Sequence, residues 1–235
     1  MLCLRPGNKT YWMVKTMLKF SCLVLDHADT VVQSEATVNF PFFVYILDQY
    51  RPGRTITLEE YVEGCCHLGF ADMCRQWYGF TEQELVDEYR GWQEYIKDHV
   101  PAPFSGIEKI IRRQKELGGM VCVVSHSSDV NILRDYRVHF GMEPDAIYSW
   151  DLPEELRKPS TYALEDIMEK YGFSPSDLLV VDDMKPAYDM ASNAGVPIAI
   201  AAWGRKDYPE IAAEMRSLCD FSFDSTQDLE KFLFD

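Results

Sequence analysis

The chain has 235 residues, 47% of them hydrophobic, with 38 acidic against 23 basic side chains and a formal net charge of −15. That length allows one large domain or a core carrying a smaller inserted one. A body this acidic repels phosphate backbones, which speaks against nucleic acid as a partner, and no apolar run is long enough to cross a bilayer, which speaks against a membrane protein.

In chain order, the first twenty residues hold Arg5, Lys9, Lys15 and Lys19 and no acid. They lack the continuous apolar segment of a secretory signal, so residues 1–16 are read as an N-terminal extension. From Met17 the run KFSCLVLD reads as a strand that stops abruptly on the carboxylate of Asp26. Between about 35 and 104 there is no good strand. TVNFPFFVYILDQY has helical periodicity despite Pro41. TLEEYVEGCCHLGF opens with Thr57 as an N-cap, and TEQELVDEYRGWQEYIKDH repeats that signal with Thr81 and Glu84. Pro101 and Pro103 close the region. The cluster CCHLGFADMC invites a metal reading, but adjacent cysteines chelate one ion poorly and the spacing fits no zinc pattern. Its residues read instead as core and surface of a helical hairpin. The seven cysteines, odd in number and scattered, fit reduced thiols of a cytoplasmic protein.

From 105 the pattern alternates. Helix SGIEKIIRRQKELGG has Ser105 as its expected cap and Gly118–Gly119 as its stop, and strand MVCVVS ends on Ser125. Helix SDVNILRDYRVHFG, a short strand around AIYSW, and helix STYALEDIMEKYG follow, with Lys158 at that helix start. Strand DLLVVDD, helix KPAYDMASNAG, strand PIAIAAW and a helix-rich end closed by DLEKFLF complete the chain. Such alternation implies an α/β fold, a doubly wound, mainly parallel sheet. The helical block falls after the first strand. The expected division is therefore a core of 17–34 and 105–235, carrying an inserted α-helical cap at 35–104.

Ligands of parallel sheets sit beyond the carboxyl ends of the strands. There the chain offers Asp26, Ser125 and Asp182–Asp183, with Lys158 nearby. Each alone has an ordinary explanation as a turn former, a helix cap or a surface charge. HSSD at 126–129 suggests a Ser-His-Asp triad, but neighbours in sequence rarely form that geometry.

In this order, LVLDHADTVVQS, VVSHSS and RKPSTYALEDIMEKYGFSPSDLLVVDDMKPAYDMASNAGV resemble the four motifs of the haloacid dehalogenase superfamily, in the branch with a helical cap after the first motif. The resemblance runs from about residue 19 to 235. It implies a Rossmann-like core and a Mg²⁺-dependent phosphatase that hydrolyses a small phosphorylated metabolite through an aspartyl phosphate. By the same resemblance Asp26 is the nucleophile, and Asp26, the carbonyl of Ala28, Asp182 and Asp183 surround the metal. Ser125 and His126 meet the phosphate, while Lys158 binds it and holds Asp26 ionised.

One departure matters. Phosphatases of this family usually carry a second aspartate two residues after the nucleophile, which protonates the leaving oxygen and later activates water. This chain has Ala28 there, and Asp29 where glycine is usual. The missing proton transfer is worth about 10²–10⁴-fold in rate. Three readings follow. His27, Asp29 or a cap residue substitutes, although His27 is expected on the other side of the strand. Alternatively the chemistry is C–P cleavage, as in phosphonoacetaldehyde hydrolase, which also has alanine here and uses a cap lysine; this cap has only Lys97. Or catalysis is impaired and the protein binds phosphate or regulates. Arg51, Arg54, Arg75, Trp77 and Tyr78 are candidate substrate selectors in the cap.

Overall fold

The computed structural model describes residues 18–235, so the extension 1–16 lies outside the described residues. Strand β1 (Cys22–Leu25) leads into helices α1 (Phe40–Tyr50), α2 (Leu58–His67), α3 (Phe70–Tyr78) and α4 (Glu82–Tyr95). Then come α5 (Ile107–Glu116), β2 (Met120–Val124), α6 (Asp129–Phe140), β3 (Ala146–Tyr148), α7 (Tyr162–Tyr171) and β4 (Leu178–Asp182). The chain ends through α8 (Lys185–Ala194), β5 (Ile198–Ala201), α9 (Pro209–Leu218), β6 (Phe221–Phe223) and α10 (Thr226–Phe234). All strand pairs are parallel, in the order β3-β2-β1-β4-β5-β6. This is the doubly wound α/β architecture expected from the alternation.

The strands are almost wholly apolar because helices cover both faces of the sheet. Alternate residues sort to opposite sides. Leu23, Leu25, Val121, Val123, Leu179 and Val181 pack with residues of α5, α6 and α10. Cys22, Val24, Cys122, Val124, Leu178 and Val180 pack with α7 and α8. A third apolar cluster joins Phe43, Tyr61 and Met73 of the helical block to Ile200, Ala202 and the α9 residues Ile211 and Met215. Helices α1–α4 therefore rest on the carboxyl end of β5. The chain enters and leaves this block along one seam: the Gln33 amide donates to the Ala102 carbonyl (2.8 Å) and the Phe104 amide to the Val31 carbonyl (2.9 Å).

Thr57 and Thr81 cap α2 and α4 as expected, each through a reciprocal capping box, with Glu60 and Glu84. Pro41 is the second residue of α1, which continues from a π-helical turn at Glu35–Asn39, so its missing N–H falls where five-residue hydrogen-bond spacing gives way to four. The hairpin α2–α3 accounts for the CCHLGFADMC cluster: Cys66 and Cys74 are buried apolar thiols, and the described cysteines are all free. Three expectations need correction. Ser105 does not cap α5; Gly106 does, in a left-handed conformation (φ +90°) that suits glycine. Lys158 lies ahead of α7 rather than at its start. The helix-rich end also contains β6, only three residues long and too short for an alternation signal. Among the described residues no helix is long and apolar enough to cross a membrane.

Glu88, on the inner side of α4, is 6% exposed and has no hydrogen-bond partner among the described residues. Burial pushes its carboxyl up from 4.5 to about 8. The native state thus keeps a proton that the unfolded chain releases, so stability falls as pH rises through that window. Glu88→Gln is expected to flatten this slope. It should raise the melting temperature near pH 9, by up to ~4 kcal/mol of stability, and leave it nearly unchanged near pH 4.5. Melting curves at the two pH values check it.

Candidate active site

Leu25 pairs with Val123 on one side and Val181 on the other, so β1 ends between β2 and β4, where the winding of the sheet reverses. Asp26 is the next residue, and its amide donates to the Val181 carbonyl (2.9 Å). Asp182, the last residue of β4, lies beside it, and Asp183 follows. One oxygen from each of Asp26, Asp182 and Asp183 lies within 4.8 Å of the other two. The Lys158 ammonium bridges the group, donating to Asp26 Oδ1 (2.8 Å) and Asp182 Oδ2 (2.6 Å). Ser125, 3% exposed, follows β2, and its Oγ accepts from the Ser127 amide (3.2 Å). His126 Nε2 donates to the Lys158 carbonyl (3.2 Å), and its ring packs edge-on against Trp150. The residues expected at the three strand ends and the lysine are thus brought together.

Two further residues were not singled out from sequence. Arg205, 1% exposed, follows β5 and spans two carboxylates: Nη1 donates to Asp29 Oδ2 (3.2 Å) and Nη2 pairs with Asp183 Oδ2. Its approach depends on Gly204, where an added Cβ would lie 1.9 Å from the Asp29 carbonyl oxygen. Thr30 Oγ1 donates to Asp183 Oδ1 (2.9 Å), and the Trp203 indole N–H holds the Thr30 carbonyl (3.1 Å). Nothing local in AAWGRKD marks this role, since its meaning arises only when β5 ends beside the β1 loop.

Burial works against the charge of Lys158, but Asp182 and Asp26 outweigh it and hold the ammonium above its ordinary value. The same balance, set by Asp183 and Asp29, holds Arg205 ionised. The carboxyls lack enough cations. Burial pushes Asp182 up to about 7 against the pull of Lys158, and pushes Asp183 up against Arg205. Five carboxyl groups (Asp26, Asp29, Glu35, Asp182 and Asp183) are grouped around two cations. An all-oxygen donor set with excess buried negative charge fits a hard divalent ion such as Mg²⁺. Asp26, Asp182 and Asp183 could hold it, with the Ala28 carbonyl, which takes part in no backbone hydrogen bond of the loop.

The groups considered as substitutes for the missing aspartate lie elsewhere. His27 continues the parity of Leu23 and Leu25, so it enters the α6 side of the sheet. There its Nε2 meets Asp135 Oδ2 (3.0 Å) and it is 2% exposed. Asp29 has a left-handed backbone (φ +52°), and its Oδ1 accepts the Ser34 and Glu35 amides (3.0 and 3.1 Å). The candidate selectors are also engaged inside the helical block. Arg51 pairs with Glu84, Arg75 with Asp72 and Glu82, and Arg54 donates to the Trp77 carbonyl and faces the Tyr78 ring. The block meets the rim of the site through Tyr89, whose hydroxyl donates to Asp151 Oδ1 (3.0 Å) next to Trp150.

Residues 25–201 match the family model described as haloacid dehalogenase-like hydrolase. Among solved structures, CbbY from Rhodobacter sphaeroides in complex with phosphate superposes with a TM-score of 0.73 at 19% identity, covering 89% of this chain and 96% of that one. A predicted phosphoglycolate phosphatase from Haemophilus somnus gives 0.74 at 19% identity, covering 92% and 99%. A protein from Bacteroides fragilis described as a haloacid dehalogenase-like hydrolase gives 0.75 at 16% identity, covering 90% and 100%. At these identities the likeness shows the fold. No curated protein matches the sequence.

Proposed function

Because the chain belongs to the haloacid dehalogenase-like hydrolases, we propose that it is a Mg²⁺-dependent phosphatase of a small phosphorylated metabolite, working through an aspartyl phosphate on Asp26. The observation that carries this reading is the Lys158 bridge between Asp26 and Asp182, at 2.8 and 2.6 Å, beside Asp183 at the carboxyl edge of the sheet.

Lys158 holds Oδ1 of Asp26 and leaves Oδ2 to attack phosphorus. The P–Oδ2 bond forms as the bond from phosphorus to the leaving oxygen breaks; water then cleaves P–Oδ2 and releases phosphate. In this reading Ser125 and Lys158 hold the phosphoryl oxygens, with His126 at their edge. Asp26, the Ala28 carbonyl, Asp182 and Asp183 would hold Mg²⁺, which would supply the positive charge that lets a carboxylate approach a phosphoryl dianion. Helices α1–α4, within the segment 35–104, serve as the cap that excludes water during transfer. The R. sphaeroides CbbY structures with phosphate and with xylulose-(1,5)bisphosphate support the substrate class. Free thiols among the described cysteines accord with a cytoplasmic setting.

Lys97, the cap lysine that C–P cleavage would require, is 62% exposed and paired with Glu94, so it does not supply the amine that reading needs. A protein that binds phosphate without turnover is the reading that Ala28 favours. Phosphate release from p-nitrophenyl phosphate and acetyl phosphate separates the two. Release with Mg²⁺ that stops with chelator is expected; phosphate binding without release assigns the non-catalytic role.

A further inference from the structure

Ala28 leaves open which group gives the leaving oxygen its proton. Four titratable groups beside the Asp26, Asp182, Asp183 and Lys158 cluster are candidates. His27 is sealed on the α6 side with Asp135. Asp29 has both oxygens committed, one to two amides and the other to Arg205. His126, exposed at the edge of the site, commits its Nε2 hydrogen to the Lys158 carbonyl, and the neighbouring Lys158 ammonium opposes a second proton there. Glu35 remains.

The position of Glu35 is built rather than incidental. It opens a π-helical turn, Glu35–Asn39, in which the Asn39 amide reaches back five residues to the Ser34 carbonyl (3.0 Å). Such turns are rare and recur at functional sites. The Glu35 amide is fixed by Asp29 Oδ1 (3.1 Å), whose other oxygen holds Arg205, which in turn pairs with Asp183. The residue is thus tied by one short relay to the carboxylate cluster. Its Oε1 accepts from Asn39 Nδ2 (2.8 Å), while Oε2 has no hydrogen-bond partner among the described residues, in a half-buried side chain. The charged and titratable groups around it are Arg205, Asp183, Asp26, Asp29 and Tyr208 from the core, with Cys65 and Tyr61 of α2 on the cap side. Burial pushes its carboxyl up, and Asp183 and Asp26 add to that against the pull of Arg205. The acid form is the one that can donate a proton.

We propose that Glu35 is the general acid and base of the phosphoryl transfer, in the role that Ala28 leaves unfilled; this rests on the phosphatase reading. In the first step the Glu35 carboxyl gives its proton to the leaving oxygen as that oxygen parts from phosphorus. In the second, the Glu35 carboxylate takes a proton from the attacking water as P–Oδ2 of Asp26 breaks. Phosphate leaves and both carboxyl groups return to their starting states.

The test compares wild type with Glu35→Gln, which keeps the Asn39 hydrogen bond through its carbonyl but has no proton to exchange. Nitrophenolate and acetate leave without a proton, whereas glycerol 3-phosphate releases an alkoxide that needs one. In Glu35→Gln a stoichiometric burst from p-nitrophenyl phosphate or acetyl phosphate should persist and then stall. Steady hydrolysis of glycerol 3-phosphate should fall about 10²–10⁴-fold. The burst also reports that the variant is folded. Glu35→Asp, which keeps an acid on a shorter arm, should recover part of the loss. Turnover of the alkyl ester by Glu35→Gln within a few-fold of wild type overturns the assignment while leaving the phosphatase reading intact. Absence of Mg²⁺-dependent release of nitrophenolate or acetate by wild type overturns the phosphatase reading itself, and Glu35's role with it.

Discussion

Replacing Asp26 with Asn is expected to lower turnover on any phosphate ester by at least about 10⁴-fold, with the fold intact. The carboxamide is isosteric but has no anionic oxygen to attack phosphorus, and no other described carboxylate stands on the axis of β1 in its place. Asp183 is held by Thr30 and Arg205, and Asp182 by Lys158 and the Met184 amide. The fold tolerates the change because Lys158 keeps its 2.6 Å bond to Asp182, and the Asp26 backbone bond to Val181 does not involve the side chain. A melting temperature close to wild type, with phosphate release at the blank, is the expected pair of results. Residual turnover within ten-fold of wild type would assign the chemistry to a different group.

The second large effect is on stability. Arg205 is buried and is ion-paired with both Asp29 and Asp183. Removing one side of a buried ion pair leaves uncompensated charge and costs about 3–5 kcal/mol. Arg205→Met is therefore expected to lower the melting temperature markedly. Millimolar Mg²⁺ should recover part of that loss, because a cation on Asp183 replaces one of the two charges that Arg205 balanced. Arg205→Lys should fall between, since one ammonium cannot span two carboxylates as a planar guanidinium does. Thermal melts of the three proteins with Mg²⁺ and with chelator check this. A Met variant as stable as wild type in chelator would mean that the bridge contributes nothing.

Much of this was legible in the sequence because it is local. The capping boxes at Thr57 and Thr81 need only four consecutive residues, and the strands β1, β2 and β4 announce themselves as apolar runs ending on Asp26, Ser125 and Asp182. Their convergence follows from the parallel alternation, which puts all carboxyl ends on one edge. Arg51 and Arg75 of the helical block resemble selectors by residue type alone, but their pairing with Glu84, Asp72 and Glu82 is set by packing between helices. Arg205 was invisible for a similar reason: its partners Asp29 and Asp183 are distant in sequence, and only the close pass of Gly204 over the Asp29 carbonyl brings them together. Glu35 was obscured by its π-helical turn, whose wider spacing departs from the α-helical period used to read TVNFPFFVYILDQY.

The most direct measurement is the intact mass of the protein, acid-quenched within the first turnover on acetyl phosphate with Mg²⁺. The expected result is a single phosphoryl adduct that maps by fragmentation to Asp26, disappears on treatment with hydroxylamine, and is absent from Asp26→Asn. An adduct on another residue, or phosphate release with no adduct at any quench time, would contradict the covalent role of Asp26.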